Sequence, residues 1–244
     1  MRILSFGLII LFILGLGCQS KNEIITEAEN DFNQSLFNDA VEKLKPILEK
    51  KQFTVDDTAA LFLRSKCYKN LGILQGSLED LNELIKLDSS KIDFIAYRAD
   101  IFSELNKLNW AKKDLCKILK LDSTNYVTYN NLGLIYERLE KYDSSVLNYT
   151  KAIELYPFDA RIYYNRAISL MYLDNPKKAL EDLNAAIKLN PTDDDYYLEK
   201  GTCYYLLKDL DSSCLIWSQA FKLGSIDAKK NIEIYCSKSD SFEL

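Results

Sequence analysis

The sequence predicts an all-α protein built from repeated helix pairs, and two observations lead to this expectation. The chain of 244 residues contains only 8 glycines and 4 prolines, so it has few of the residues that end short strands and turns. Small and large apolar residues also recur every 34 residues through most of the chain. A period between about 20 and 50 residues is typical of a solenoid or an array of small units.

The repeat consists of columns of residues that keep their size when the chain is read in steps of 34. Two columns are small: Ser65, Ala99, Gly133, Ala167 and Gly201, then Ser77, Ala111, Ser145, Ala179 and Ser213. A third is large: Tyr68, Phe102, Tyr136, Leu170 and Tyr204. Within one copy, Leu132, Gly133 and Tyr136 share a helical face, and Ser145 and Tyr149 share a second one. We therefore expect two antiparallel helices that meet along a seam of small residues, where packing outweighs the low helix propensity of Gly133.

This unit resembles the tetratricopeptide repeat (TPR), a 34-residue helix-turn-helix with the pattern W-x2-L-G-x2-Y, then A-x3-F, then P. One copy places these residues at the corresponding positions: Tyr129, Leu132, Gly133, Tyr136, Ser145, Tyr149 and Pro157. The copies are then 21–57, 58–91, 92–125, 126–159, 160–193 and 194–227, within a TPR domain at 24–240. Ala228, Ile232 and Tyr235 predict a capping helix at 228–237 over the last open face. The resemblance implies a right-handed α-solenoid of about six repeats, and by itself it specifies little about function.

The N-terminus differs in composition from the repeats. Arg2 precedes an apolar run from Ile3 to Gly17, and Cys18 follows directly. A run of this length suits the core of a signal peptide, whereas a membrane-spanning helix needs about 20 residues. The segment resembles a bacterial lipoprotein signal peptide at 1–17, which implies acylation of Cys18 and a short tether at 18–23. Gly15 stands where that family usually has leucine, so ordinary secretory cleavage is an alternative.

Composition excludes several classes of function. The chain has no histidine, which rules out histidine-dependent nucleophiles and every metal site that uses histidine. The net charge of −5 argues against non-specific nucleic-acid binding. The acidic run Asp193–Asp195 suits a helix N-terminus better than a metal loop. We expect no metal and no cofactor.

The cysteines indicate buried positions rather than a cross-linked framework. Cys67, Cys203 and Cys214 fall in mostly apolar columns, whereas Cys116 falls among polar residues and should be exposed. No spacing resembles a disulfide or zinc framework. An exported compartment nevertheless permits disulfides, and Cys214 with Cys236 is the least implausible pair.

The resemblance to TPR proteins implies a concave groove lined by the first helix of each repeat. Residues that face away from the seam in 126–227 are the candidate partner-binding residues: Asn131, Leu134, Arg138, Tyr164, Asn165, Ile168, Met171, Tyr172, Leu198 and Tyr205. Asparagine amides can hold an extended peptide backbone, and tyrosine and methionine supply contact area. Alternatively, any one of these residues packs against a neighbouring helix. A carboxylate clamp of the kind that binds chaperone C-termini is not expected, because only Asn131 and Arg161 match it.

These features together predict a non-enzymatic scaffold. We expect a lipid-anchored protein of the bacterial cell envelope, on the periplasmic side, that binds a partner protein or peptide during envelope assembly. It would bind neither nucleic acid nor a small-molecule cofactor. One alternative is a carboxylate-based enzyme acting on envelope glycans, with Asp100, Glu104 and Glu137 as candidate acids. The other is a soluble adaptor, either secreted or cytosolic, whose N-terminus is merely hydrophobic.

Overall fold

The computed structural model describes residues 19–50 and 52–236, and every regular element in these two ranges is helical. The predicted signal peptide and Cys18 lie outside the described residues. The α-helices, in chain order, are α1 Lys21–Asn33, α2 Phe37–Leu48, α3 Thr58–Asn70, α4 Leu74–Leu87, α5 Ile92–Glu104, α6 Leu108–Leu121, α7 Tyr126–Arg138, α8 Tyr142–Leu155, α9 Ala160–Tyr172, α10 Pro176–Leu189, α11 Asp194–Leu206, α12 Leu210–Leu223 and α13 Ile226–Asn231. A 3-10 turn, Val55–Asp57, precedes α3, and a π-helical turn, Ile232–Cys236, follows α13. None of the described helices is long and apolar enough to cross a bilayer.

The helices pack as pairs joined by short turns, within two compact units whose boundary lies between Lys107 and Leu108. In the first unit α1 packs against α2, α3 packs against α4, and α5 lies on α4. In the second unit the pairs are α7 with α8, α9 with α10 and α11 with α12, while α6 contacts α7 and α13 contacts α12. Neighbouring pairs contact each other through α8 with α9 and α10 with α11. The all-α architecture of helix pairs is confirmed, and the 34-residue copies from 58 onwards each start at the first residue of a helix: Thr58, Ile92, Tyr126, Ala160 and Asp194.

A repeated hydrogen bond closes the seam between the helices of a pair. The buried Ser145 hydroxyl donates to the carbonyl of Gly133 at 2.9 Å. The same bond recurs in two other pairs, at 2.8 and 2.9 Å: Ser77 to Ser65, and Ser213 to Gly201. A buried hydroxyl needs a partner, and the carbonyl across the seam supplies it. The two small columns therefore let the helices approach and also satisfy the serines between them.

The turn between the two helices of each copy from 58 onwards contains one residue in the left-handed region. The φ angle is 73° at Gly72, 56° at Asn106, 57° at Glu140, 54° at Asp174 and 66° at Lys208. The next residue donates its N–H to the carbonyl of the large-column residue, as Lys141 does to Tyr136 at 2.8 Å. This is the Schellman arrangement, which satisfies carbonyls at the end of a helix. Four of the five turns hold this conformation with a residue other than glycine, at a cost in backbone energy.

The tether predicted at 18–23 is too long. The structure begins α1 at Lys21, because Ser20 and Glu23 form a capping box. The Ser20 hydroxyl accepts from the N–H of Glu23 at 3.3 Å, and the Glu23 carboxylate accepts from the N–H of Ser20 at 2.8 Å. Only Gln19 and Ser20 therefore separate position 18 from the first helix.

The capping helix predicted at 228–237 also has different bounds. It begins at Ile226, because Gly224 ends α12 with φ of 118° and the Ser225 hydroxyl then accepts from the N–H of Ala228. After Asn231 the helix widens into the π-helical turn. The predicted last residue, 237, lies outside the described residues.

A disulfide joins Cys214 of α12 to Cys236 of the π-helical turn, with their Cα atoms 5.8 Å apart. The sequence favours unpaired cysteines, so that expectation is wrong here, although this pair is the one it names as least implausible. Because α13 and the π-helical turn fold back against α12, Cys236 lies next to Cys214. Among the other described cysteines, Cys67 and Cys203 are buried and Cys116 is exposed, as predicted.

Candidate functional site

A cavity of about 380 Å³ lies between α7 and α9 in the second unit. Its volume falls within the range of small ligand sites in proteins. Three of the candidate partner-binding residues line it, namely Asn131, Leu134 and Asn165. The remaining lining residues are Tyr126, Val127, Asn130, Asp159, Arg161 and Ile162.

The two helices that border the cavity are fixed by capping side chains at their N-termini. Asn125 caps α7 by accepting a hydrogen bond from the N–H of Thr128 at 2.9 Å. Asp159 caps α9 by accepting one from the N–H of Arg161 at 3.0 Å. Asparagine and aspartate are the usual residues at such positions, because they satisfy N–H groups that have no partner within the helix. The first turns of α7 and α9 are therefore held in place at the cavity edge.

Three asparagine amides form a row along one side of the cavity. The Asn165 amide nitrogen lies 3.4 Å from the Asn130 oxygen, and the Asn130 nitrogen lies 3.5 Å from the Asn131 oxygen. These long hydrogen bonds leave N–H donors on Asn131 and the carbonyl oxygen of Asn165 available. Asn130 belongs to this row but is not among the predicted partner-binding residues. Its position directly before Asn131 in the sequence could have indicated it.

Arg161 and Asp159 form a salt bridge beside the amide row. The Arg161 guanidinium contacts both carboxylate oxygens of Asp159, at 3.3 and 3.1 Å, and its side chain is largely exposed. The hydrogen bond and charge of Asp159 raise the pKa of Arg161. Asp159 therefore balances the charge of Arg161 at the cavity edge.

Aromatic rings at the N-terminal end of α7 adjoin the cavity. Tyr126, which lines it, stacks on Tyr156 with ring centroids 4.5 Å apart, and Phe158 meets Tyr156 edge-on at 5.7 Å. Phe158 is 69% exposed and Val127 is 49% exposed. This aromatic edge was not selected from the sequence, because Tyr156 and Phe158 follow the second helix of their copy and belong to no groove column.

Three of the candidate residues contribute mainly to packing. Tyr164 lies against Tyr196, with ring centroids 5.2 Å apart, and burial raises the pKa of its hydroxyl. Met171 packs on the buried cluster around Leu183, and Leu198 packs on the cluster around Trp217. These three side chains therefore pack against neighbouring helices, which is the alternative stated for the groove residues above.

The other candidates lie away from the residues that line the cavity. Tyr172 is 65% exposed and stacks on Tyr142 with ring centroids 4.5 Å apart. Tyr205 lies beside Tyr235 at the C-terminal cap, at 4.7 Å. Ile168 is half-buried within α9, and Arg138 is exposed at the end of α7.

The carboxylates considered for catalysis are engaged elsewhere. Lys69 forms salt bridges with both Asp100 and Glu104, the latter at 2.9 Å. Glu137 accepts hydrogen bonds from the hydroxyls of Tyr149 and Ser169, each at 3.2 Å, and burial raises its pKa. Glu137 is therefore part of the core around the seam rather than of an open groove.

The arrangement of the acidic side chains and the burial of two thiols bear on metal binding and on cysteine chemistry. Within residues 19–50 and 52–236 no group of three or more cysteine, aspartate or glutamate side chains is arranged to hold a metal ion, and Asp193–Asp195 stands at the start of α11. Burial raises the pKa of the Cys67 thiol to about 11 and that of Cys203 to about 12. Because the thiolate is the reactive form, burial and a raised pKa both lower the reactivity of these two thiols at neutral pH.

A second cavity, of about 620 Å³, lies in the first unit and contains none of the candidate residues. Its wall includes Arg64, which forms two hydrogen bonds to the buried Asp80 at 2.9 and 2.6 Å. The same pair recurs three repeats later as Arg166 with Asp182, at 2.8 and 2.6 Å. The recurrence indicates that this ion pair belongs to the repeat scaffold.

The sequence profile of the tetratricopeptide repeat family matches residues 126–159 and 160–193. These are the two copies whose first helices, α7 and α9, border the cavity of about 380 Å³. Comparison with curated protein sequences gave no match.

Several solved structures have the same fold at low sequence identity. The C-terminal part of a TPR repeat-containing protein from Cytophaga hutchinsonii is 15% identical, with a TM-score of 0.74 over 89% of this chain and 89% of its own. MamA from residue 41 to its end, from Desulfovibrio magneticus RS-1, is 17% identical, with a TM-score of 0.66 over 70% of this chain and 97% of its own. YrrB, described as a TPR protein with an unusual peptide-binding site, is 16% identical, with a TM-score of 0.62 over 81% of this chain and 97% of its own. The predicted class, an all-α TPR-like solenoid, is confirmed.

Proposed function

We propose that this chain is a membrane-anchored TPR scaffold that binds an extended segment of a partner protein in the cavity between α7 and α9. The observation that carries the proposal is the row of amides from Asn130, Asn131 and Asn165 beside an apolar wall. An extended peptide presents N–H and C=O groups along its length, and asparagine amides can pair with both. Val127, Leu134 and Ile162 lie on the same cavity and can contact an apolar side chain of that peptide.

The proposed role is binding without catalysis. Asp100 and Glu104 both form salt bridges with Lys69, and Glu137 accepts a hydrogen bond from the buried Tyr149. The match of the TPR family to 126–193 supports a protein or peptide as the partner, and YrrB is an example of this fold that has a peptide-binding site. We place the role in assembly at the cell envelope.

Export and anchoring belong to the same proposal. Lipidation at Cys18 would attach the chain to a bacterial envelope membrane on its periplasmic side. The disulfide between Cys214 and Cys236 supports an exported location, because disulfides persist in oxidising compartments and are rare in the cytosol. With two residues between position 18 and α1, the repeats would lie close to the membrane surface.

Site-specific crosslinking in intact cells tests the groove. A photoreactive amino acid at Leu134, on the cavity, should trap a partner chain, and the same residue at Leu147 serves as the matched control. Leu147 is an exposed leucine on α8 that does not line the cavity. A peptide-binding groove predicts a distinct crosslinked species from position 134 that is absent from position 147. No species from either position, or the same species from both, would contradict the site.

Metabolic labelling with a palmitate analogue tests the anchor separately. The wild-type chain should carry the label, and a Cys18→Ala chain should not. An unlabelled wild-type chain, or equal label on both chains, would refute the lipoprotein part and leave the groove untouched.

A further inference from the structure

One helix of the second unit, α6, has a basic face that faces solvent. Trp110, Lys113, Lys117 and Lys120 follow one another at intervals of three or four residues, which places them on one side of the helix. Trp110 is 57% exposed, Lys113 and Lys120 are exposed, and Lys117 is half-buried. We call these four residues the basic face of α6.

The basic face contains no exposed carboxylate. The only acidic residue of α6 is Asp114, which is 4% exposed. The second helices of the other copies from 58 onwards each expose at least one acid: Glu79 on α4, Asp143 on α8, Glu181 on α10 and Asp211 on α12. Because the whole chain carries a net charge of −5, this concentration of positive charge on one helix runs against the composition of the protein.

Comparison with neighbouring copies shows how the charge arises. On α4, Lys86 pairs with Glu83 at 2.6 Å, and on α8, Lys151 pairs with Glu154 at 2.9 Å. Steps of 34 place Lys117 at the position of Glu83 and Lys120 at that of Glu154. On α6, a lysine therefore stands at the position where each of these two pairs has its carboxylate. Within the described part of the chain, no carboxylate forms a salt bridge with any lysine of the basic face.

Trp110 adds an interfacial residue to this charge. The ammonium of Lys113 lies 5.4 Å from the centre of its ring, within the range of a cation–π contact. Tryptophan is enriched where a protein meets the head-group region of a bilayer, because its ring is apolar and its N–H is polar. The lysines that follow it on the same face can direct their charge toward anionic head groups while their methylene groups cover apolar surface.

We propose that the basic face of α6 contacts a bilayer surface that carries anionic phospholipid head groups. The charge complementarity of three lysines without exposed acids favours an anionic partner. The exposed tryptophan on the same side of the helix favours a bilayer over an acidic polypeptide, because tryptophan rings are enriched at the level of the head groups, where basic residues are attracted to anionic lipids. The proposal depends neither on acylation of Cys18 nor on the peptide groove.

Tryptophan fluorescence offers a direct test. The chain has two tryptophans, and Trp217 is only 1% exposed, so quenching by lipid reports Trp110. The chain from Gln19 onwards, which keeps every described helix, is mixed with vesicles that contain brominated phosphatidylcholine, alone or with an equal share of phosphatidylglycerol. We expect quenching and a blue shift only with the anionic vesicles, and loss of both at high salt because exposed charges are then screened.

Two triple variants separate the basic face from general charge. Lys113→Gln with Lys117→Gln and Lys120→Gln should weaken vesicle binding about 100-fold. The matched control, Lys177→Gln with Lys178→Gln and Lys188→Gln, removes three exposed lysines from α10 and should retain the quenching. Circular dichroism checks that both variants keep the helical content of the wild type.

Several results would overturn the proposal. They are the absence of quenching with anionic vesicles, equal quenching with neutral vesicles, or equal loss of binding in the two triple variants. Binding that soluble polyglutamate competes for, without quenching of Trp110 by the vesicles, would assign the face to an acidic polypeptide instead.

Discussion

The ring of Tyr149 fills the space that a Cβ atom on Gly133 would need. A Cβ built on Gly133 would lie within 2.8 Å of three atoms of that ring, and Tyr149 is fully buried. Gly201 stands in the same relation to Trp217, with Nε1 at 2.6 Å from the built Cβ. The size of the residue on the first helix is therefore matched to the size of the one opposite it, and aromatic rings at this position require glycine.

The first prediction is that Gly133→Ala destabilises the protein although alanine is the better helix former. The added methyl cannot displace a fully buried ring, so overpacking should lower the free energy of unfolding by about 1–3 kcal/mol. In a Tyr149→Leu background the same substitution should be neutral or stabilising, by up to about 1 kcal/mol, because the helix propensity then dominates. Denaturant unfolding of the four chains in this cycle measures the coupling. Equal effects of Gly133→Ala in both backgrounds would contradict the steric account.

The second prediction concerns the left-handed turn residues. Glu140→Gly should raise the free energy of unfolding by about 0.5–1 kcal/mol, because glycine adopts a φ near 57° without a Cβ penalty. Gly72→Ala should lower it by about 1 kcal/mol, and the loss would come from the backbone alone, since a Cβ at this position meets no atom within 4 Å.

The control for this prediction is Glu140→Ala, which removes the same side chain but keeps a Cβ. If Glu140→Ala raises the free energy of unfolding as much as Glu140→Gly does, the gain comes from the lost charge and not from the backbone.

The sequence was sufficient to predict the helix pairs, because the packing of the seam dictates residue size at fixed intervals. Ser77 and Ser145 were selected as small residues, and the structure shows that their hydroxyls also bond across the seam. The groove positions carry no such constraint. Tyr164 and Asn165 are adjacent and both face away from the seam, yet the first packs on Tyr196 and the second lines the cavity.

The remaining features depend on contacts that the period does not encode. The aromatic edge formed by Tyr156 and Phe158 lies in the connection between copies, where residue size is not fixed by the seam. The disulfide partner Cys236 lies beyond the last copy, and its position depends on how α13 and the π-helical turn fold back on α12. Local pattern alone could name the pair but could not establish the contact.

The third prediction is a loss of stability in acid that depends on Asp57. This carboxylate is fully buried, receives Lys21 and Lys50 at 2.6 Å each, and accepts from the N–H of Thr54 at 2.7 Å. Burial acts to raise the pKa of Asp57, but these hydrogen bonds outweigh it and hold the pKa well below its usual range. Because the folded-state pKa is depressed, the stabilisation is complete above the unfolded pKa of about 4 and is lost as pH falls towards the folded value.

Substitution of Asp57 tests this linkage. Asp57→Asn should lower the free energy of unfolding by about 2–3 kcal/mol at neutral pH, since buried charge-assisted hydrogen bonds are lost. The difference between the variant and the wild type should shrink below pH 4 or so, because the wild-type carboxylate is then being protonated. Asp56→Asn, at an exposed neighbour, is the control and should change little. A difference that stays constant from neutral to acid pH would contradict the assignment.

The fourth prediction is that the disulfide holds the C-terminal cap on the last repeat. Cys214 and Cys236 belong to one buried cluster with Trp217, and the bond closes a separation of 22 residues. A loop of this length is worth about 3 kcal/mol in the chain-entropy description, so Cys236→Ser should lower the free energy of unfolding by about that amount.

Since a terminal repeat needs its apolar face covered, the loss should appear first as opening of α13. Trypsin should then cleave after Lys229 and Lys230 faster in the variant, and in the wild type under reducing conditions, than in the oxidised wild type. Cys116→Ser, which changes an exposed free thiol, should leave the cleavage rate unchanged, and an oxidised wild type cleaved as fast as the reduced one would show that the cap does not depend on the bond.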